Sequence, residues 1–302
     1  MKGEIIHIES ISKLCEVFGM EKPTHPLISV MDVSDWQLES HWVDKKLTLG
    51  MYYISLKDKD CGIDYGRSSY DFDEGVLVFA APNQLITIKQ ELEFNEIRGK
   101  IMFFHPNLIM NTSLGKIIDN YKFFSYDVHE ALHLSDAEQK TVVECFSIIH
   151  EEIKGRIDNH SQTVIASSIE LLLNLSNRYY ERQFLTRSAQ NSDIVSQFNT
   201  ILKDYYGNGN FSNKGIPPIE YFSEKINLST NYLSDLLKKE TGFSAKEHIN
   251  NFIIDKAKTL LLSDTTTINE IAYTLGFNYP HYFSRLFKNK TGLTPHKYRQ
   301  LN

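Results

Sequence analysis

Residues 233–242 read LSDLLKKETG, and fifty residues later residues 283–292 read FSRLFKNKTG. Five of the ten positions are identical: Ser234/Ser284, Leu236/Leu286, Lys238/Lys288, Thr241/Thr291 and Gly242/Gly292. Two copies are too few for a solenoid, which needs about three or more repeats to bury a continuous core. A pair of helix-turn-helix units fits better, an arrangement that reads two successive stretches of DNA major groove.

Each copy has the required internal logic. In the first, Ile219–Ile226 is a short helix turning Phe222, Ser223 and Ile226 inward. A tight turn follows at Asn227-Leu228, and Ser229 is a good N-cap for a second helix over Thr230–Glu240. Leu233, Leu236 and Leu237 face the core, while Asn231, Ser234, Asp235 and Lys238 share the opposite face at helical spacing. Gly242 stands where a helix ends left-handed. In the second copy, Thr267 and Glu270 form a capping box, Ile271, Ala272 and Leu275 line the interior, and Gly276 makes the turn. Pro280 is tolerated in the first turn of the next helix. Phe283, Leu286 and Phe287 then face in, and His281, Ser284, Arg285 and Lys288 face out.

Between the copies, Ser244 and Glu247 open a helix expected to reach Leu262. Its length of roughly 27 Å suits two readers placed on major grooves that recur every ~34 Å. The outward residues carry suitable chemistry. Arg285 can pair bidentately with guanine, Asn231 with adenine, and Asp235 can accept from cytosine. Lys238, Lys239, Lys288 and Lys290 are phosphate neighbours, supplying affinity and salt dependence rather than sequence choice.

The bulk numbers bound the rest. At 302 residues the chain has room for two domains, and 41% hydrophobic with 23% charged residues is ordinary for a globular protein. The net charge of −6 hides an asymmetry: residues 216–302 hold 11 Lys and Arg against 8 Asp and Glu, so the excess acid lies upstream. Only the tail has the sign that meets phosphate. No N-terminal segment has the form of a signal peptide, and the longest apolar run, Val76–Pro82, is too short to span a bilayer. Three widely spaced cysteines (Cys15, Cys61, Cys145) argue against a disulfide framework or a thiolate zinc site and suit a cytoplasmic protein.

Upstream of the repeat the pattern is β and then α. Leu47–Leu56, Gly75–Ala81, Leu85–Lys89 and Ile97–Phe104 read as strands separated by polar turns, as in a sandwich or barrel. A capping box at Ser135 and Glu138 opens a helix through Val142, Phe146, Ile149 and Ile153. Two more helices are expected over about 163–183 and 192–206. The glycine- and asparagine-rich stretch 207–215 then reads as a linker or wide turn.

The tail resembles the AraC/XylS family of bacterial transcription regulators. The resemblance is carried by Ile268-Asn-Glu-Ile-Ala-Tyr-Thr-Leu-Gly-Phe277, Tyr282-Phe-Ser-Arg-Leu-Phe-Lys288, Thr291-Gly-Leu-Thr-Pro295 and Tyr298-Arg299. It implies DNA binding through two recognition helices, with Asn231, Ser234, Asp235, His281 and Arg285 facing bases. Thr230, Lys238, Lys239, Tyr279, Ser284 and Lys288 complete the expected DNA-facing set. More loosely, Asp73–Pro82 is similar to an element of the cupin-like sensor domain of such regulators.

The expected fold is therefore multidomain α+β. A cupin-like β-barrel (1–110) precedes a helical region (111–206) with a dimerising segment around Gln162–Tyr180. A linker (207–217) leads to an all-α double helix-turn-helix domain (218–302). The implied partners are double-stranded DNA, a small-molecule effector, RNA polymerase and a second copy of the chain, with no membrane. Tyr52, Tyr53, Tyr65, Tyr70 and Phe72 are the effector-pocket candidates.

The alternative is a metal-dependent cupin-type enzyme with an accessory DNA module. Such a site needs clustered histidines and a carboxylate. His41 has no such neighbour, and Gln84 and Leu85 stand where a ligand would be expected. His129 and His133 are four apart, as a ligand pair on one helix would be, without a third ligand. No cofactor, metal or catalytic residue is therefore expected. Cys61 reads as a plain small residue rather than a redox sensor.

Overall fold

The computed structural model describes residues 5–33, 45–58, 71–72, 75–87, 99–207, 215–263 and 266–300. The chain divides into two compact units, Met1–Arg187 and Ser188–Asn302. Among the described residues no helix is long and apolar enough to cross a membrane.

The first unit is built on eight described strands: β1 (Ile5–Ile8), β2 (Ile28–Asp32), β3 (Lys46–Leu49), β4 (Tyr52–Asp58), β5 (Gly75–Ala80), β6 (Leu85–Thr87), β7 (Gly99–Phe104) and β8 (Leu132–Leu134). They form a three-stranded sheet, β1-β3-β6, and a five-stranded sheet, β2-β7-β4-β5-β8. The larger sheet is antiparallel throughout, whereas β1 runs parallel to β3. The described strands do not join the two sheets into the closed barrel that was expected.

The stretch Leu47–Leu56, expected as one strand, is divided between the sheets. Gly50 is the reason: its N–H donates to the Ile8 carbonyl at 2.9 Å, and a Cβ there would lie 3.2 Å from the Glu9 Cα. The missing side chain lets the chain leave one sheet against β1 and enter the other.

Side chains alternate across β4, as a two-residue period requires. One face packs between the sheets, where Val76, Val78, Ile101 and Phe103 meet Ile8, Leu47, Leu49 and a short helix, α1 (Ile11–Val17). The other face meets helical segments. After the brief helices α2 (Pro106–Ile109) and α3 (Ser113–Ile117) come α4 (Asp136–Lys154) and α5 (Ser161–Thr186). There Phe79 contacts Phe123 and Tyr180, with ring centroids 4.4 and 6.3 Å apart. The Ser135/Glu138 capping box is formed, and Arg182 of α5 clamps Glu138 at 2.8 Å. Arg187, just past α5, is tied to the buried Asp71: Nε donates to both carboxylate oxygens (2.9 and 3.1 Å) and Nη2 to Oδ2 (2.6 Å).

The second unit is helical: α6 (Ser188–Gly207), α7 (Ile219–Ile226), α8 (Thr230–Thr241), α9 (Ala245–Ser263), α10 (Ile268–Thr274), α11 (Pro280–Thr291) and α12 (Pro295–Gln300). Here the structure corrects the expected boundaries. Helix α6 was placed in the helical region ahead of a linker. Instead its Phe198, Leu202, Tyr205 and Tyr206 share one core with Phe222, Leu233 and Leu237 of the first helix-turn-helix. Phe198 lies 4.5 Å from Phe222, ring to ring. The glycine-rich stretch after α6 therefore connects two helices of one core, and the units divide between Arg187 and Ser188.

Candidate nucleic-acid interface

Two helix pairs present the interface, α7–α8 and α10–α11. Their likeness extends past the ten repeated residues. Each first helix ends on a residue with positive φ, Asn227 at 60° and Gly276 at 88°. The next N–H bonds five residues back in both copies, Leu228 to the Ser223 carbonyl and Phe277 to the Ala272 carbonyl, each at 3.0 Å. These bonds satisfy carbonyls that a helix end leaves open. Leu228 and Phe277 then enter the core.

Gly276 has a second constraint. A Cβ there would lie 2.9 Å from the Gly215 carbonyl carbon and 3.0 Å from the Ile216 nitrogen. Gly215 is itself held by the Tyr205 hydroxyl of α6, which donates to its carbonyl at 2.8 Å.

The reader helices end alike. Gly242 and Gly292 are left-handed at φ 80° and 78°, with N–H groups bonded to the Lys238 and Lys288 carbonyls. Thr241 Oγ1 donates to the Leu237 carbonyl and Thr291 Oγ1 to the Phe287 carbonyl. The repeated Lys, Thr and Gly thus build a C-terminal cap. Serine 244 and Glu247 then open α9, their capping box closed at 2.9 and 3.4 Å. Those contacts from Ser244 lower the Glu247 pKa, and burial lowers that of His248.

The readers differ at their start. Ser229 Oγ accepts the Tyr232 N–H at 3.2 Å, a true N-cap, but Tyr279 at the start of α11 makes no side-chain cap bond. The connection before α11 spans five residues and that before α8 three.

The expected DNA-facing residues all lie on α8 and α11 or at their first positions. On α8, Thr230, Asn231, Ser234 and Asp235 are half-buried and Lys238 and Lys239 exposed. On α11, Tyr279, His281, Arg285 and Lys288 are exposed and Ser284 half-buried. The apolar residues expected to face inward do so: Leu233, Leu236, Leu237, Phe283 and Phe287 are buried. The sequence reading missed Tyr282, which is exposed beside His281 with ring centroids 4.2 Å apart. The repeat gave no signal for it, since Tyr232, fifty residues earlier, is buried.

Of the effector-pocket candidates, Tyr52, Tyr53 and Phe72 lie among the described residues. Tyr65 and Tyr70 lie outside the described residues. Tyr52 and Tyr53 are neighbours on β4 and face opposite ways. Tyr52 stacks on Phe104 (4.9 Å) and meets Phe124, while Tyr53 packs against the core between the sheets. Burial pushes the Tyr53 phenol up to about 12, so it stays neutral. Phe72 is exposed beneath the Arg182 guanidinium, 4.7 Å from its ring centre.

The histidine pair weighed for a metal is also separated: His129 sits in a 3-10 turn and His133 on β8. Asp127, His129 and Glu130 do cluster, with ligand atoms within 4.8 Å of one another. The carboxylates there close a capping box, Glu130 Oε2 accepting the Asp127 N–H at 2.7 Å. Gln84 Oε1 closes the turn after β5 by accepting the Ala81 N–H.

Residues 222–301 match the family described as a helix-turn-helix domain. The transcriptional regulatory protein YesN of Bacillus subtilis is 31% identical over 111 residues, 36% of this chain and 29% of that protein. The transcriptional activator RhaR of Pectobacterium carotovorum is 36% identical over 81 residues, 27% of this chain and 28% of that one. Histidine kinase P4 of Formosa agariphila is 24% identical over 206 residues, 68% of this chain but only 13% of its own length. The chain thus spans less than a third of each of these relatives. Residues 222–301 thus carry a helix-turn-helix domain of the AraC type.

Proposed function

We propose that this chain is a sequence-specific DNA-binding transcription regulator whose two readers, α8 and α11, enter successive major grooves. The observation that carries the reading is the doubled scaffold: matching C-terminal caps and apolar inner faces hold two outward faces that differ in chemistry. Arg285 is the guanine reader, Asn231 the adenine reader, and Lys238, Lys239 and Lys288 hold phosphate. A gel shift of the full chain on genomic fragments, with and without metabolite extract, tests it. Preferential retention of some fragments over competitor DNA is expected. Equal retention of all of them contradicts the reading.

The finer parts of the proposal are activation rather than repression, through RNA polymerase, a small-molecule effector bound by the first unit, and assembly as a cytoplasmic dimer. The cupin-like likeness of residues 73–82 supports the sensor role. For the dimer, α5 leaves Val164, Leu171 and Leu185 exposed, seven and then fourteen residues apart with Arg178 between, while Ile165, Ile169 and Leu172 are buried within the unit. Spacing of this kind suits one seam of a coiled coil. A metal-dependent enzyme is the weaker reading, because the matched domain is a DNA-reading one.

A further inference from the structure

The fifty-residue repeat gives an internal control for every position of the readers. Tyr232 and Tyr282 are the same residue at the same place in α8 and α11. Their surroundings are opposite: Tyr232 is 3% exposed and Tyr282 53%. The preceding cap differs in the same direction. Ser229 caps α8, whereas its counterpart Tyr279 is 59% exposed and caps nothing. The second reader has given up a helix cap and placed two tyrosines in water at its first turn.

These rings form one surface. His281 joins Tyr279 (5.8 Å) and Tyr282 (4.2 Å), and the two tyrosines are 6.0 Å apart. The same helix carries Arg285 and Lys288 on its exposed side and has no acid in its first turn. Exposed aromatic rings beside cations fit an apolar target set in a polyanion. In the major groove the thymine 5-methyl is the apolar group that base edges offer.

We propose that Tyr279, His281 and Tyr282 are a thymine-methyl reader, making the half-site of α11 thymine-selective where that of α8 is not. The proposal rests on the DNA-reading function above, adds Tyr282 to the DNA-facing set and gives Tyr279 and His281 a target on the base edges. Tyr282 makes the central contact; Arg285, one turn further on, reads its guanine independently.

The test uses the full chain and a duplex selected by it from a random library. Each thymine of the selected site is replaced in turn by deoxyuridine, which removes only the methyl. For the wild type, one or two replacements within the α11 half-site weaken binding about fourfold each. In Tyr282→Ser that methyl dependence disappears, while Tyr282→Phe retains it. Exposure of Tyr282 makes these variants compatible with folding, checked by circular dichroism. Two results overturn the proposal while leaving DNA reading intact: a wild type indifferent to every replacement in that half-site, or full methyl dependence in Tyr282→Ser. Selection of no sequence by the wild type overturns DNA reading itself and this contact with it.

Discussion

The first and second helix-turn-helix copies share a frame and differ at their working edges. Both close their turns with a positive-φ residue and both readers end on a left-handed glycine. Yet α8 starts from a capping serine with its tyrosine buried, and α11 starts from an uncapped, exposed aromatic group. The two copies therefore share what holds each reader and differ in what each reader displays. Position 235 against position 285, Asp against Arg, is the sharpest case, since a carboxylate and a guanidinium seek opposite groups on the base edges.

The largest expected effect tests the frame. Gly276→Ala forces a side chain into both an unfavourable φ and the Gly215–Ile216 backbone, so it costs the second unit about 3 kcal/mol. Asn227→Ala, at the matching turn, gives up asparagine's left-handed tolerance without a backbone clash and costs about 1 kcal/mol. Urea unfolding of the full chain followed by circular dichroism measures both. Equal costs would remove the distinction between the turns.

Next come the displayed residues. Arg285→Ala loses about 1–3 kcal/mol of preference at one guanine, while Lys288→Ala weakens all sequences alike and flattens the salt slope by about 1. Binding to matched and mismatched sites over a salt series separates them. A uniform loss for Arg285→Ala would deny it a base-reading role.

The caps give a smaller contrast. Ser229→Ala costs about 1 kcal/mol by freeing the Tyr232 N–H, whereas Tyr279→Ala costs little stability and reduces DNA affinity. Unfolding and binding measured on the same two variants give the comparison, and a large loss of stability in Tyr279→Ala would contradict it.

The smallest effect is a pH response confined to the first copy. His248 occupies the place of Tyr298 in the second copy, and burial lowers its pKa. The folded value lies below the unfolded one, so its stabilisation is complete above about pH 6.5 and is lost as pH falls through the folded value. Acidification from about pH 7.5 to about pH 5 therefore lowers the unfolding midpoint more in the wild type than in His248→Gln. Glu247 also loses stabilisation on acidification, but it is common to both proteins.

What was legible in the sequence was local or repeated. The capping boxes at Ser135, Ser244 and Thr267 are set by residues three apart and form as expected. The inward faces of both readers follow from helical period and the fifty-residue repeat. What was hidden depends on distant partners. The apolar spacing of Phe198, Leu202 and Tyr205 announces a helix but not which core receives it, so α6 was assigned upstream. Parallel pairing of β1 with β3 joins segments some forty residues apart, and nothing near Ile5 marks it. The opposite exposures of Tyr232 and Tyr282 are likewise invisible to pattern, because the two sit at equivalent points of similar helices.

The central claim is that two unequal readers occupy two neighbouring grooves. It is tested most directly by scanning every base pair of a selected site for its effect on binding, in the wild type and in Arg285→Ala. The account predicts two sensitive segments about one helical turn apart, with Arg285→Ala erasing a preference in one of them only. A single sensitive segment, or losses spread equally over both, would contradict it.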